Sequence, residues 1–178
     1  MSRLYEKYKT ELREKIQKEL KLDNVMRIPK LEKIVVNSGV GEASQNIKIL
    51  DKVMEEIGII TGQRPVVRRA KKSIAQFRIR EGNPVATSVT LRGKRMYEFF
   101  DRMVSIVMPR IKDFRGFPDK SFDGRGNFTI AIKDQLVFPE INYSKVERTK
   151  GMSITFVTTA LTNEEGKVLL KSMGMPFA

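Results

Sequence analysis

The sequence predicts an α+β fold: a single domain with a mostly antiparallel sheet, helices packed on one face, and a polar, basic face left uncovered. A chain of 178 residues that is 40% hydrophobic can bury one sizeable core. Stretches with helical spacing and stretches with strand alternation both occur, but not in the regular order of a doubly wound parallel sheet. We predict one domain over residues 1–178, with protruding loops at about 70–82, 109–127 and 133–151.

The first two predicted elements are a helix and a strand. The helix begins near Ser2, and its apolar residues recur at four-residue spacing, at Leu4, Tyr8, Leu12, Ile16 and Leu20. The strand covers about residues 30–40, where apolar and polar positions alternate. Its predicted core-facing residues are Ile34, Val36 and Val40, and those facing the other way are Lys33, Val35 and Asn37.

A second helix, a short strand and a loop follow. The helix runs from Asn46 and is predicted to end at Gly58, since glycine tolerates the positive φ of a helix C-terminus. Its apolar stripe is Ile47, Leu50, Val53, Met54 and Ile57. Pro65 to Arg68 is predicted to form the short strand. The basic run after it has no clear period and closes on Gly82-Asn83-Pro84, which predicts a protruding loop.

The next strand and helix are adjacent in sequence. The segment PVATSVTLRG alternates, which predicts a strand with one apolar and one polar face. The apolar face carries Val85, Thr87, Val89 and Leu91, and the other carries Ala86, Ser88, Thr90 and Arg92. From Lys94 to Met108 apolar residues recur at helical spacing, and Pro109 is predicted to end this helix.

The C-terminal part is predicted to hold two strands, one helix and two long connections. Residues 109–127 contain three Phe, three Gly and two Pro, which predicts a loop without regular structure. Its phenylalanines either anchor the loop on the core or form an aromatic contact surface; they are Phe114, Phe117 and Phe122. Strands are predicted over Phe128 to Ile132 and Met152 to Ala160. The final helix opens at Thr162 and closes at Gly174-Met175-Pro176.

Composition excludes most catalytic chemistry. The chain has no Cys, His or Trp, which removes disulfides, thiolate nucleophiles, Cys/His zinc sites and imidazole bases. We therefore predict no enzyme, cofactor or metal. No apolar stretch is long enough for a membrane helix and the N-terminus has no signal-peptide pattern, so a cytosolic protein without a membrane partner is expected.

Two weaker motifs have simpler interpretations. GVGEAS, from Gly39 to Ser44, lies between a strand and a helix but has Ser44 in place of the third glycine of a dinucleotide fingerprint, so a tight turn is favoured. The carboxylates Asp113, Asp119 and Asp123 alternate with lysines and arginines in a Gly/Pro loop, which is more typical of solvated charges than of a metal site.

The charge is concentrated in one window. Residues 62–95 hold ten Lys or Arg and one acid, Glu81, and so carry +9 of the net +13. Such a field indicates an anionic partner, because uncompensated charges repel one another unless phosphates offset them. Gln63, Ser73, Gln76 and Phe77 add hydrogen-bonding and stacking groups of the kind used in RNA recognition. The window therefore favours RNA binding on the polar sheet face.

Two other functions are weighed against RNA binding. A metal-dependent nuclease would use the scattered carboxylates, and Mg²⁺ with labelled RNA would reveal it by cleavage. A membrane-surface protein would need a basic amphipathic helix, whereas the polar faces of these helices mix Lys and Glu in near balance.

Five blocks of the sequence resemble, in order, the large-subunit ribosomal protein number five family. The most specific is GQRPVVRRAKKSIAQFRIREG in the basic window. The others are KLEKIVVNSGVGEA, SVTLRGKRMYEF, FDGRGNFTIAIKDQLVFPEI and SITFVTTALTNEEG, followed by a closing GMPF. The resemblance covers essentially the whole chain. Ser38, Phe128 and Ala131 depart from the pattern, in which a larger apolar residue, a Tyr and a Gly stand.

The resemblance implies an α+β fold and a place in the central protuberance of the large subunit of the cytoplasmic ribosome. Expected partners are 5S rRNA, P-site tRNA, a small-subunit head ribosomal protein and other central-protuberance components. The implied 5S rRNA contacts are Asn37, Gln63, Arg64, Arg68, Thr90, Arg92 and Lys94. The implied tRNA contacts are Lys71, Lys72, Ser73, Gln76, Phe77 and Arg78. The implied intersubunit bridge is Lys112, Phe114, Arg115, Gly116 and Phe117.

Overall fold

A five-stranded sheet and several helices make up the computed structural model, which describes residues 2–41, 47–112, 114–143, 146 and 149–178. The strands are β1 (Leu31–Gly39), β2 (Val66–Arg69), β3 (Pro84–Leu91), β4 (Phe128–Ile132) and β5 (Met152–Thr158). The helices are α1 (Arg3–Lys7), α2 (Arg13–Glu19), α3 (Ile47–Thr61), α4 (Gly93–Arg102) and α5 (Asn163–Ser172). The sheet is antiparallel with strand order β2-β3-β1-β5-β4. The predicted α+β fold is confirmed.

The chain forms two compact units, each assembled from separate stretches of sequence. The first unit comprises Met1–Ile34, Leu91–Ile130 and Thr155–Ala178. The second unit comprises Val35–Thr90 and Ala131–Ile154. That the chain behaves as the one domain expected from its length stays a prediction.

The N-terminal helix of the first unit contains a π turn that its sequence spacing explains. The π turn Tyr8–Leu12 joins α1 to α2. Residues at strict four-residue spacing drift by about 40° per step around an ideal α-helix. A π turn takes up this drift, so that Leu4, Tyr8, Leu12 and Ile16 are all buried. Leu20, the last residue of the predicted stripe, is only half-buried because α2 has ended.

The helix predicted over Lys94 to Met108 is observed in three segments. α4 continues into a π turn, Met103–Val107, and then a 3₁₀ turn, Met108–Arg110. The helical segment therefore does not end before Pro109. This proline lies in the first turn of the 3₁₀ segment, where its missing N–H costs nothing. The fully buried Phe99 and Phe100 are on α4, and the ring of Phe100 lies 5.4 Å from that of Phe156 on β5.

The last helix is capped as predicted. The hydroxyl of Thr162 accepts a hydrogen bond from the backbone N–H of Glu165 (3.3 Å), and the carboxylate of Glu165 accepts one from Leu161 N (2.8 Å). This pair differs from a capping box only in that Glu165 binds the N–H of Leu161, the residue before the N-cap, and not that of Thr162 itself. At the other end Gly174, with φ of +99°, closes α5. β5, by contrast, ends at Thr158 and not at Ala160.

The prediction that the second helix ends at Gly58 is wrong. α3 continues to Thr61, because the stripe extends to the buried Ile60. The glycine that ends it is Gly62, whose φ is +66° and whose N–H donates to the carbonyl of Gly58 (2.8 Å). Both glycines fit a helix end in the sequence, and only the second has the left-handed backbone. Asn46, the predicted start, lies outside the described residues.

The alternation predicted for β1 is confirmed, and that predicted for β3 is confirmed only in part. Along β1, Ile34, Val36 and Ser38 are buried while the residues between them are half-buried. Ser38 satisfies its buried hydroxyl by donating to the carbonyl of Gly151 (2.9 Å), which explains how a polar residue fits this face. On β3, Val89 and Leu91 are buried as predicted, and so is Ser88, which was expected on the open face.

Candidate nucleic-acid interface

The basic window is built on an antiparallel hairpin of β2 and β3 in the second unit. Val66 pairs with Ser88 and Arg68 with Ala86, and the register shifts between Arg68 and Arg69. Arg68 Nε donates to Ser88 Oγ at 2.6 Å, which fixes the side chain along the hairpin. This contact satisfies the hydroxyl of the buried Ser88. The guanidinium of Arg68 nonetheless belongs to an exposed residue.

The residues predicted to contact 5S rRNA fall in both units. Asn37, Gln63, Arg64, Arg68 and Thr90 belong to the second unit, and Arg92 and Lys94 to the first. Within the second unit, the amide of Gln63 donates to the carbonyl of Thr90 (3.2 Å), so these two residues are brought together.

Fewer direct contacts position the other residues of the second unit that are predicted to bind 5S rRNA. The carbonyl of Asn37 accepts a hydrogen bond from Ser153 Oγ (3.4 Å), and Asn37 is half-buried. Arg64 is exposed between α3 and β2. A continuous basic sheet face stays a prediction, because these contacts join only pairs of residues.

In the first unit, Arg92 and Lys94 flank the start of α4. Arg92 has extended backbone and its side chain does not cap the helix. Gly93 has φ of +56°, a left-handed value that favours glycine. Lys94 is exposed and forms only a long ion pair with Glu98 (3.7 Å), which contributes little at a solvated surface.

The loop between β2 and β3, residues 70–82, has a defined backbone and is called the tip below. Its base is closed by hydrogen bonds from Ala70 N to the carbonyl of Asn83 and from Gly82 N to the carbonyl of Ala70, both 2.9 Å. Farther out, Ile74 and Ile79 form an isolated antiparallel bridge. The tip therefore extends the hairpin and is not the irregular loop that its lack of period suggested.

All six residues predicted to contact tRNA are on the tip and exposed: Lys71, Lys72, Ser73, Gln76, Phe77 and Arg78. Phe77 keeps 63% of its surface exposed, which is unusual for a ring. Arg78 has a left-handed φ of +54° after the 3₁₀ turn Ala75–Phe77. Among the described residues, no carboxylate pairs with Lys71, Lys72 or Arg78.

Two details of the tip were not apparent from the sequence. Ser73 is structural as well as exposed, since its hydroxyl accepts a hydrogen bond from Glu81 N (2.9 Å). Ile74 is 45% exposed beside the basic residues, so the tip exposes a second large apolar side chain besides Phe77. The only sequence signal for Ile74 was its apolar character inside a basic run.

Residues 109–127, called the aromatic loop below, are anchored by a cluster of phenylalanine rings in the first unit. Phe122 lies 4.6 Å from Phe128 and 5.9 Å from Phe177 between ring centroids. Phe117 lies 4.8 Å from Phe114 and 6.0 Å from Phe128. Since Phe128 is fully buried, the cluster attaches the loop to the core. Of the two interpretations of these rings, the structure favours the anchor.

The predicted bridge residues divide according to this anchoring. Lys112 and Arg115 are exposed, whereas Phe114 and Phe117 are half-buried in the cluster. Gly116 has φ of +108°, and a Cβ there would lie 2.6 Å from Ala178 N. Two backbone hydrogen bonds of 3.1 Å join Phe117 to the C-terminal segment. The N–H of Phe117 donates to the carbonyl of Pro176, and the N–H of Ala178 donates to the carbonyl of Phe117. The C-terminus therefore shapes the loop.

The carboxylates of the aromatic loop serve local structure. Asp119 pairs with Lys167 at 2.5 Å. Asp123 accepts hydrogen bonds from Asn127 Nδ2 (2.7 Å) and from Arg125 N (2.8 Å), and these bonds lower the pKa of its carboxyl group. Among the described residues no group of three or more acidic side chains could hold a metal ion, and Asp113 lies outside them.

The helices in the described part of the chain include none that is long and apolar enough to cross a membrane.

Comparison with known proteins gives concordant matches over the whole chain. The family described as ribosomal protein L5 matches residues 24–80, and the family describing the C-terminus of the same ribosomal protein matches residues 84–177. A large ribosomal subunit protein uL5 from Macrococcus caseolyticus is 55% identical over 177 residues, covering 99% of both chains. A protein of the same name from Anaeromyxobacter sp. is 57% identical over 176 residues, covering 99% of this chain and 98% of its own.

Proposed function

The chain belongs to the ribosomal protein L5 family, a structural and non-enzymatic family of the large ribosomal subunit, and on that premise we propose three specific contacts for it. It binds 5S rRNA and helps to attach it in the central protuberance. It contacts P-site tRNA through the tip. It forms an intersubunit bridge to a small-subunit head protein through the aromatic loop.

The observation that carries the proposal is the set of uncompensated cations on the β2–β3 hairpin. The window holds nine more positive than negative charges, and its exposed cations on the tip have no acidic partner among the described residues. A phosphate backbone supplies the matching charge and releases counterions on binding. This supports an RNA partner.

We assign the 5S rRNA contacts to the hairpin flanks and their neighbours. Arg64, Arg68, Arg92 and Lys94 contact phosphates and supply affinity. The polar groups of Asn37, Gln63 and Thr90 fix register by hydrogen bonding to bases or 2′-hydroxyls. The contact between Gln63 and Thr90 supports treating these two as one recognition element.

We assign the tRNA contact to the tip, because its exposed features suit a transient RNA partner. Lys71, Lys72 and Arg78 provide charge, and the exposed ring of Phe77 can stack on a base or sugar. For the bridge, the exposed cations Lys112 and Arg115 contact the partner, while the aromatic cluster holds their loop in shape.

The 5S rRNA contact is tested by the salt dependence and specificity of binding. The dissociation constant for 5S rRNA should rise steeply with salt, by about 0.7 to 0.9 log units per log unit of salt for each phosphate neutralised. An unrelated RNA hairpin of equal length is the control. Equal affinity for both RNAs would refute specific 5S recognition.

The division between flank and tip is tested by two sets of substitutions. Lys71→Ala with Lys72→Ala should leave 5S rRNA binding nearly intact and weaken retention of P-site tRNA by reconstituted ribosomes. Arg64→Ala is the matched control, since it removes an exposed cation from the flank and should weaken 5S binding instead. A large loss of 5S binding in the tip variant would show that the two surfaces are wrongly divided.

A further inference from the structure

The first unit contains a cavity of about 460 Å³ that the assigned contacts do not explain. Its lining combines aromatic rings, cations and a carboxylate, which are groups that can contact the base and phosphate of a nucleotide. The rings belong to Tyr5 and Tyr97, and the cations are Lys30 and Lys94.

The aromatic side of the cavity offers a surface for a flat ring. The rings of Tyr5 and Tyr97 lie 4.9 Å apart between centroids and are inclined by 45°. Tyr97 is buried, whereas Tyr5 is half-buried. The ammonium group of Lys9 lies over one face of the Tyr5 ring, 4.5 Å from its centroid, in a cation–π contact, so a base would pack against the rest of this ring.

The opposite side is suited to an anion. α4 begins at Gly93, which lines the cavity, and its first turn has no acidic residue and no side-chain cap. The free N–H groups and the dipole of such a helix start favour a phosphate. Lys30 and Lys94 are both exposed at the cavity, so two full charges add to this partial one.

Ser2 adds a hydrogen-bonding group to the cavity. It lines the cavity and is only 5% exposed, and its hydroxyl has no hydrogen-bond partner among the described residues. The Ser2 oxygen is not one of the fully buried unpaired atoms of the described residues, so it opens onto the cavity and is available to an occupant. An occupant with hydrogen-bonding groups would pair with this hydroxyl, and a purely apolar one would not.

The neighbouring sequence indicates which anionic occupant is suitable. Lys94 lines the cavity and also belongs to the proposed 5S rRNA contacts, as does Arg92 immediately before the helix. A nucleotide that is part of bound RNA would therefore reach the cavity without leaving the proposed contact region. The carboxylate of Glu32 at the cavity can accept a hydrogen bond from an exocyclic amino group, which adenine, cytosine and guanine have and uracil lacks.

We propose that this cavity holds one unpaired nucleotide of the bound rRNA, with its base against Tyr5 and its phosphate between Lys30, Lys94 and the start of α4. The inference rests on the proposed 5S rRNA binding and adds a specific subsite to it. The nucleotide is an A, C or G. Only an RNA loop with an unpaired base can insert this nucleotide. The subsite would therefore recognise the shape of a loop, which contacts to a duplex alone cannot do.

A tryptophan reporter tests occupancy directly. The chain has no Trp, so Tyr5→Trp creates a single fluorophore at the cavity. Titration with 5S rRNA should quench its emission, and a Val66→Trp variant serves as a flank reporter, since Val66 is exposed on β2 and is not an assigned contact. Quenching at position 66 without any change at position 5 would overturn the subsite while leaving 5S binding intact. A change at position 5 caused only by other large-subunit proteins would also overturn it.

Substitutions then test the energetic role. Lys30→Ala combined with Tyr5→Leu should weaken 5S rRNA binding about 10-fold, as expected for loss of one stacking contact and one phosphate contact. Chemical probing should show one unpaired nucleotide losing protection while the rest of the footprint stays. Lys15→Ala is the control, because it removes an exposed charge from the same helical region away from the cavity. Thermal unfolding checks that the double variant is folded.

An unchanged dissociation constant and footprint in the double variant would overturn the subsite alone. Failure of the wild-type protein to bind 5S rRNA would overturn the proposed function together with it.

Discussion

The tip and the aromatic loop look alike in sequence and differ in structure. Both are long connections with glycine, basic residues and phenylalanine. The tip is held at its base by two backbone hydrogen bonds and keeps Phe77 63% exposed. The aromatic loop buries its rings against Phe128 and against Phe177 of the C-terminal segment. The same residue type is thus a free contact group in one loop and an anchor in the other.

This difference indicates how each loop serves its proposed partner. An anchored loop presents Lys112 and Arg115 from a prearranged backbone, which lowers the ordering cost of binding a protein surface. The tip presents its cations and Phe77 without contacts from a core, which suits an RNA that must be released. The following substitutions compare the aromatic loop and the core residue that anchors it with the tip.

The largest expected effect is the removal of the anchor. Phe128→Ala should lower the free energy of unfolding by about 3–5 kcal/mol, because a fully buried ring is replaced by a cavity. Phe77→Ala, the same change on the tip, should alter it by less than about 0.5 kcal/mol. Urea denaturation followed by circular dichroism measures both. Equal losses would mean that the tip is also anchored.

A smaller effect is expected from adding a methyl group to glycine. Gly116 and Gly82 both have positive φ, so alanine should cost about 1–2 kcal/mol of backbone strain at each position. At Gly116 the new Cβ would also meet Ala178 N at 2.6 Å, whereas at Gly82 no atom lies within 4 Å. Gly116→Ala should therefore destabilise more than Gly82→Ala, as measured by unfolding midpoints.

Deletion of Phe177 and Ala178 distinguishes the two costs of the Gly116→Ala change, which are backbone strain and the close contact with Ala178. Without those residues the extra cost at Gly116 should disappear, and the two alanine variants should then be destabilised by similar amounts relative to their common background. A persistent difference would show that the C-terminal segment does not constrain the aromatic loop.

The smallest expected effect is on the stability of the aromatic loop at acidic pH. The folded-state pKa of Asp123 is lowered, so its contribution to stability is present above the unfolded value near 3.8 and is lost as the pH falls through the folded pKa. Asp123→Asn should reduce the acid sensitivity of the aromatic loop below about pH 4 with little change at pH 7, since the group is almost fully solvated. Hydrogen exchange at Asn127 N measures this. Identical pH profiles of wild type and variant would exclude the turn as the source.

Local sequence patterns predicted the helices and strands that pack one face against the core. The alternation in β1 and the capping residues of α5 act within a few residues, and the structure confirms them. In β3 the structure confirms the burial of Val89 and Leu91 but not the exposure predicted for Ser88. The end of α3 was misplaced because Gly58 and Gly62 are equally permissive, and only the burial of Ile60 decides between them. The π turns were likewise hidden, since a four-residue spacing also fits an ideal helix over two turns.

Contacts between residues far apart in the sequence determine the features that local patterns did not predict. Phe122 meets Phe177, 55 positions away (177 minus 122), and no local pattern predicts that contact. In the candidate interface, the concentration of charge and the exposure of the tip were predictable. The pairing of Gln63 with Thr90, the structural role of Ser73 and the cavity beside Tyr5 depend on how distant segments fold together.

The position of β2 at the edge of the sheet has a consequence for the protein before it meets its partners. An edge strand exposes unpaired backbone groups that can template pairing with another copy, and charged side chains oppose this. Arg68 and Arg69 are exposed on this strand, beside the cations of the tip. The charges on this strand, including that of Arg68, which we propose binds rRNA, therefore also oppose edge-to-edge self-association of the free protein.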